Sequence, residues 1–155
     1  MKKILFFIFL FSSISGTSQN LKLTDIQLDS IAKIYNWKSK EFLIINFKHS
    51  SDHCFWDNNA NNEAGKKWWE NFYKKLDTSK TQNIYVFSDQ KRAKKIIDNK
   101  IYFGDTSDFI YKTFFSQQKK DCFGLLVINK NGDYNIAFGE YSIEKTKEFL
   151  KNLSN

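Results

Sequence analysis

The stretch "FGLLVINKNGDYNIAFGE", residues 123–140, decides the fold. It reads as two strands joined at Asn129–Gly132, because Asn131 and Gly132 both tolerate positive φ and so favour a tight turn. Immediately after it, "YSIEKTKEFLKNL" opens at a plausible Ser142 cap and carries Ile143, Phe149, Leu150 and Leu153. That pattern predicts a closing helix. A hairpin followed by a helix places an antiparallel edge and one covering layer at the end of the chain.

Working upstream, strands and helices alternate. The spacing predicts a helix over about 106–115, a short strand in "KIYFGD" (100–105) and a basic helix over 90–98 carrying Ile96 and Ile97. "NIYVFSD" (83–89) and "EFLIINF" (41–47) are short, largely apolar runs of the kind covered on both faces of a sheet. Between them, "NNEAGKKWWENFYKKLD" places Trp69, Phe72, Tyr73 and Leu76 on one helical stripe. Core packing accounts for that aromatic face. Thr24 and Gln27 form a capping-box pattern, with Ile26, Leu28, Ile31, Ile34 and Tyr35 supplying apolar positions for a helix over about 24–36. Strands separated by helices imply parallel crossovers, and the hairpin adds its antiparallel pair. The expected class is α/β: a three-layer α/β/α sandwich with a central mixed sheet.

The chain has 155 residues. Met1–Lys3 is a short basic segment, Ile4–Phe11 an unbroken apolar run, and Ser12–Ser18 a tail of small residues. This is the pattern of a secretory signal, cut between Ser18 and Gln19. An uncleaved anchor is the other reading, but roughly eight strongly apolar residues fall short of the ~20 needed to span a bilayer. Residues 19–155 then form one domain, exported to the periplasm or secreted, with no stable membrane span. The formal charge of +7 becomes +5 once Lys2 and Lys3 are removed. Basic clusters at Lys91–Lys95 and Lys119–Lys120 accompany no nucleic-acid motif, so they read as solvated faces. There is no proline, and aromatics make up 17% of the chain.

Chemistry-bearing residues concentrate in "INFKHSSDHCFWDNN", residues 45–59, which holds His49, His53 and Cys54. The other cysteine is Cys122. An oxidising compartment favours a disulfide, and one between these two would close a long loop, worth on the order of 4 kcal/mol through the unfolded state. Two histidines and two cysteines are also potential ligands of copper or zinc, with His49, His53 and Cys54 the candidate set. Asp52 and Asp57 read as loop or cap residues. Trp56 stands outside any core pattern and Trp68 one step off the inward stripe, so both are candidate anchors for a protein partner.

The order of elements resembles the thioredoxin-like superfamily, especially exported thiol–disulfide oxidoreductases of the TlpA-like group. "EFLIINF" is similar to the strand that leads into that family's active-site loop, and residues 123–153 to its closing hairpin and last helix. The family's chemistry uses a Cys-x-x-Cys pair at a helix N-terminus. Here "SSDHCFWD" offers Cys54 alone, and the family's cis-proline position falls on Phe123. The resemblance implies that Cys54 and Cys122 approach each other across a degenerate site, with Trp56 and Phe123 beside them as partner contacts. Three roles follow from it. The pair is a structural bridge in a binding module for another envelope or secreted protein, or a redox pair with Cys54 attacking and Cys122 resolving, or part of a copper or zinc carrier. No other cofactor is implied.

Overall fold

The computed structural model describes residues 21–49, 54, 62–117 and 121–154. The signal segment and its cut site, with His53, Trp56, Asp52 and Asp57, lie outside the described residues. Among the described residues twelve elements follow in order, the first seven being β1 (Leu21–Lys22), α1 (Asp25–Ile34), β2 (Phe42–Lys48), α2 (Asn62–Tyr73), β3 (Thr81–Phe87), α3 (Gln90–Ala93) and β4 (Tyr102–Gly104). A 3-10 turn (Thr106–Asp108), a π turn (Tyr111–Phe115), β5 (Phe123–Asn129), β6 (Asp133–Phe138) and α4 (Ile143–Asn152) complete them. The six strands form one mixed sheet in the order β1-β6-β5-β2-β3-β4. β2, β3 and β4 are parallel neighbours, whereas β5 and β6 run antiparallel.

The apolar run at 42–48 sits at the centre, paired on both sides. Its register runs Phe42↔Thr81 to Lys48↔Phe87 on one flank and Phe42↔Asn129 to Lys48↔Phe123 on the other. Successive side chains alternate between faces. Leu43, Ile45 and Phe47 join a core with Ile31 and Tyr35 from the α1 side and Ile110, Phe114 and Phe115 from the segment before β5. Phe42 and Ile44 join a second core with Tyr73 of α2 and Ile143, Phe149 and Leu153 from the α4 side. Each face is therefore covered by its own layer, and the result is the expected α/β/α sandwich, compatible with a thioredoxin-like arrangement. Truncating a fully buried residue such as Ile45 to Ala would cost about 2–5 kcal/mol.

Asn46 is the exception in this strand. It is buried on the α2/α4 face, where Tyr73 and Tyr141 donate to its Oδ1 at 2.5 and 2.6 Å. Its Nδ2 donates to the Ile84 carbonyl at 2.8 Å and to Asn83 Oδ1 at 2.6 Å. With four bonds made, a polar group that would otherwise be costly to bury becomes a tie between the sheet and the layer above it.

The structure adds one element to those expected from sequence and alters three. β1 was not apparent from two residues, and it forms only by pairing with the β6 edge. The hairpin turn uses positive φ at Gly132 (+83°) and not at Asn131, so Lys130–Gly132 is a three-residue loop. The helix expected over 90–98 is regular only from Gln90 to Ala93. Asn99 is left-handed at φ 56°, and Asp98 Oδ1 accepts the N–H groups of Lys100, Ile101 and Tyr102, which turns the chain into β4. The helix expected over 106–115 is split, because Ser107 and Asp108 are left-handed at φ 59° and 55°. Asp105 starts regular geometry later by accepting the Ile110 and Tyr111 N–H groups at 2.8 and 2.9 Å.

Candidate functional site

The site lies where β2 and β3 end and β5 begins. Register alone carries the pairing one residue further on each flank. Lys48 faces Phe87, and the Ser88 N–H donates to the Lys48 carbonyl at 3.0 Å, which sets Ser88 beside His49. On the other flank Lys48 faces Phe123, and the His49 N–H donates to the Cys122 carbonyl at 2.9 Å. Cys122, His49 and Ser88 thus form a row across the sheet end, although they come from three separate parts of the sequence.

Cys122 is bonded to Cys54, with Cα atoms 5.5 Å apart and 68 positions between them. That separation suits a disulfide. Cys54 is only 7% exposed, and Cys122 is half-buried. The bond ties the loop after β2 to the start of β5. Phe123, the residue at the implied proline position, is the first residue of β5 and is half-buried.

The imidazole of His49 is fixed from two directions. Its Nδ1 lies 3.2 Å from Ser88 Oγ. Its ring stacks on Tyr111 with centroids 4.7 Å apart and planes 7° from parallel. Phe47 and Phe115 continue the stack at 4.6 Å, so the imidazole extends a column of rings that starts in the core. Burial lowers the His49 pKa, which favours the neutral ring.

Asp105 holds the opposite wall. It is fully buried, and besides its two backbone donors its carbonyl accepts Gln90 Nε2 at 2.9 Å. Burial pushes its carboxyl above the usual carboxylate range, against the opposing pull of the Tyr111 and Ile110 N–H groups. Gln90 passes so close to Gly104 that any Cβ there would collide with its side chain. A side chain at 104 would therefore displace Gln90 from its present place. Together these residues shape an open cleft of about 410 Å³ lined by His49, Ser88, Asp89, Gln90, Asp108 and Tyr111.

No protein-family model and no curated protein matches this chain. The site therefore has to be read from its own chemistry.

Of the residues singled out from sequence, the structure brings together Cys54, Cys122, His49 and Phe123. His53 and Trp56 fall outside the described residues. Among the described residues, no group of three or more His, Cys, Asp or Glu side chains is placed to hold a metal ion. While the disulfide is closed, Cys54 has no thiolate to offer as a ligand. Trp68 is 55% exposed on α2 and packs against Trp69 and Phe72, at 4.6 and 5.2 Å between ring centroids.

Sequence reasoning did not single out Ser88, Gln90, Asp105 or Tyr111. The one available signal was position: Ser88 and Asp105 each follow the last residue of a parallel strand, where α/β proteins gather their ligand-binding groups.

Proposed function

We propose that this is an exported thioredoxin-like protein with a degenerate active site, a disulfide-held module that binds another envelope or secreted protein. The observation that carries the reading is the Cys54–Cys122 pairing, in which the sulfur-bearing residue of the expected active-site loop is buried. Thiol–disulfide exchange needs in-line access of a thiolate to one sulfur, and burial of Cys54 denies it on that side. The folded sheet holds the two Cα atoms 5.5 Å apart, so re-closing the bond in the native chain costs little loop entropy and the oxidised state is favoured. A stable disulfide is consistent with an oxidising compartment. Exposed Trp68 on α2 and half-buried Phe123 are the described aromatic candidates for contact with the partner.

One observation favours a second reading. Cys122 is less buried than Cys54 and sits beside a neutral histidine, so exchange would begin at Cys122. In that reading the protein is a thiol–disulfide oxidoreductase. Thiol labelling with mass spectrometry across a glutathione series separates the two. The module reading expects a bond that resists reduction, with a potential below about −300 mV, and no insulin reduction. A potential within the roughly −120 to −270 mV range of exchange proteins, with activity abolished by Cys122→Ser, would establish the enzyme instead.

A further inference from the structure

We propose that the cleft between His49, Ser88 and Tyr111 is a binding site for a neutral polyhydroxylated ligand, a sugar unit. The cleft adjoins the disulfide through the His49–Cys122 backbone bond, but binding there does not depend on which redox reading holds.

Position comes first. His49 and Ser88 follow β2 and β3, and Asp108 and Tyr111 follow β4, so the cleft gathers the residues beyond the ends of all three parallel strands. That is where open α/β sheets place ligands. Its volume of about 410 Å³ lies within the range of small-molecule sites.

Charge then narrows the ligand class. Asp89 pairs with Arg92 at 3.4 Å and Asp108 with Lys112 at 3.4 Å. With His49 neutral, the described lining residues and their partners carry no net formal charge. A cationic ligand would compete with two resident cations for the same carboxylates. An anion would meet both carboxylates directly, whatever the positive charge of the chain as a whole. A hydrocarbon would strand the hydroxyl, amide and carboxylate groups without water.

Neutral hydroxyl groups suit this lining. Each can donate to a carboxylate oxygen of Asp89 or Asp108 and accept from a neighbouring donor. Paired acceptors and donors, with Ser88 Oγ, Gln90 and the two carboxylates on one cleft, suit the alternating hydroxyls of a pyranose. The wall is also held in advance of binding. Asp105 fixes the Tyr111 and Ile110 backbone, Gln90 is anchored to the Asp105 carbonyl, and His49 is clamped by its stack. Asp108 reaches the rim from a left-handed backbone, a conformation that ordinary residues adopt at some cost and that the Asp105 contacts maintain.

The test is a titration of the intact oxidised protein followed by amide and side-chain NMR. The probes are N-acetylglucosamine, glucose, maltose and cellobiose, with free arginine and inorganic phosphate as charged comparisons. At least one sugar is expected to shift the His49, Ser88, Gln90 and Tyr111 signals with Kd on the order of 1 mM, as suits an open cleft. Ser88→Ala and Asp108→Asn should each weaken that binding about tenfold, with the remaining spectrum unchanged. Asn tolerates the left-handed backbone at 108, so this variant keeps the fold. Preference for arginine or phosphate over every sugar, or no shift at the cleft with any probe, would overturn the proposal.

Discussion

The two ends of the central sheet are built on different principles. At the hairpin end, the turn itself is held by residues close in sequence, although the Leu23 N–H also donates to the Gly132 carbonyl and Lys130 Nζ to the Lys38 carbonyl. Asn129 Oδ1 accepts the Asn131 and Asp133 N–H groups at 3.0 and 2.9 Å, and its Nδ2 reaches Asp133 Oδ2 at 3.2 Å. Nearby, Thr24 and Gln27 close a reciprocal capping box on α1. At the opposite end, Gln90 meets Asp105 across 15 positions, His49 meets Ser88 across 39, and Cys54 meets Cys122 across 68. The hairpin turn is thus set by local geometry, whereas the residues of the second end meet only once the sheet has formed. Closing long loops costs entropy that short turns do not incur, so the distant end needs a stronger tie. The disulfide supplies it.

The largest expected effect comes from removing that tie. The double variant Cys54→Ala/Cys122→Ala should lose about 4 kcal/mol of stability in denaturant unfolding, from the entropy regained by the unfolded chain. A loss under about 1 kcal/mol would mean that the open end holds itself together, and the contrast between the ends would fail.

Next in size is Asn129→Ala at the hairpin end. It strands the two N–H groups and the Leu153 carbonyl, which Asn129 Nδ2 also reaches at 3.2 Å. The expected cost is about 2–3 kcal/mol. Unlike the disulfide variant, it should leave the chemical shifts of His49 and Ser88 unchanged.

The smallest effect is a pH dependence confined to the open end. Burial depresses the His49 pKa, so the unfolded chain takes up its proton at a higher pH than the folded one. The stability associated with neutral His49 is fully present above the ordinary histidine pKa of about 6.5 and is lost as pH falls through the lowered folded value. Comparing unfolding at about pH 7.5 and about pH 5 for the native chain and His49→Gln isolates it. The native chain should lose more stability on acidification than the variant, and equal losses would place His49 in solvent.

Legibility in the sequence follows the same division. The capping box at Thr24, the Ser142 cap and the central run at 42–48 were all readable, because each depends on a few adjacent residues. The Ser142 hydroxyl does accept the Lys145 N–H, at 3.3 Å. The segment 106–115 misled, since its apolar spacing suits a continuous helix while Asp105 starts the regular turn only at Ile110. The cysteine pairing was suggested by compartment and family resemblance, and the structure contains it. Ser88 and Tyr111 carried no local mark at all. Their importance comes from register and stacking, which no window of sequence displays.

The sequence by itself determined the order of the strands from β2 onward, the α/β class and the presence of a single oxidisable cysteine pair, because periodicity, caps and residue counts act over short range. Tertiary structure alone decided that His49 would lie between Cys122 and Ser88, that its ring would stack on Tyr111 with its pKa lowered by burial, and that a cleft would open beside it. Those outcomes depend on strand register and burial, and both arise only when distant segments share one sheet.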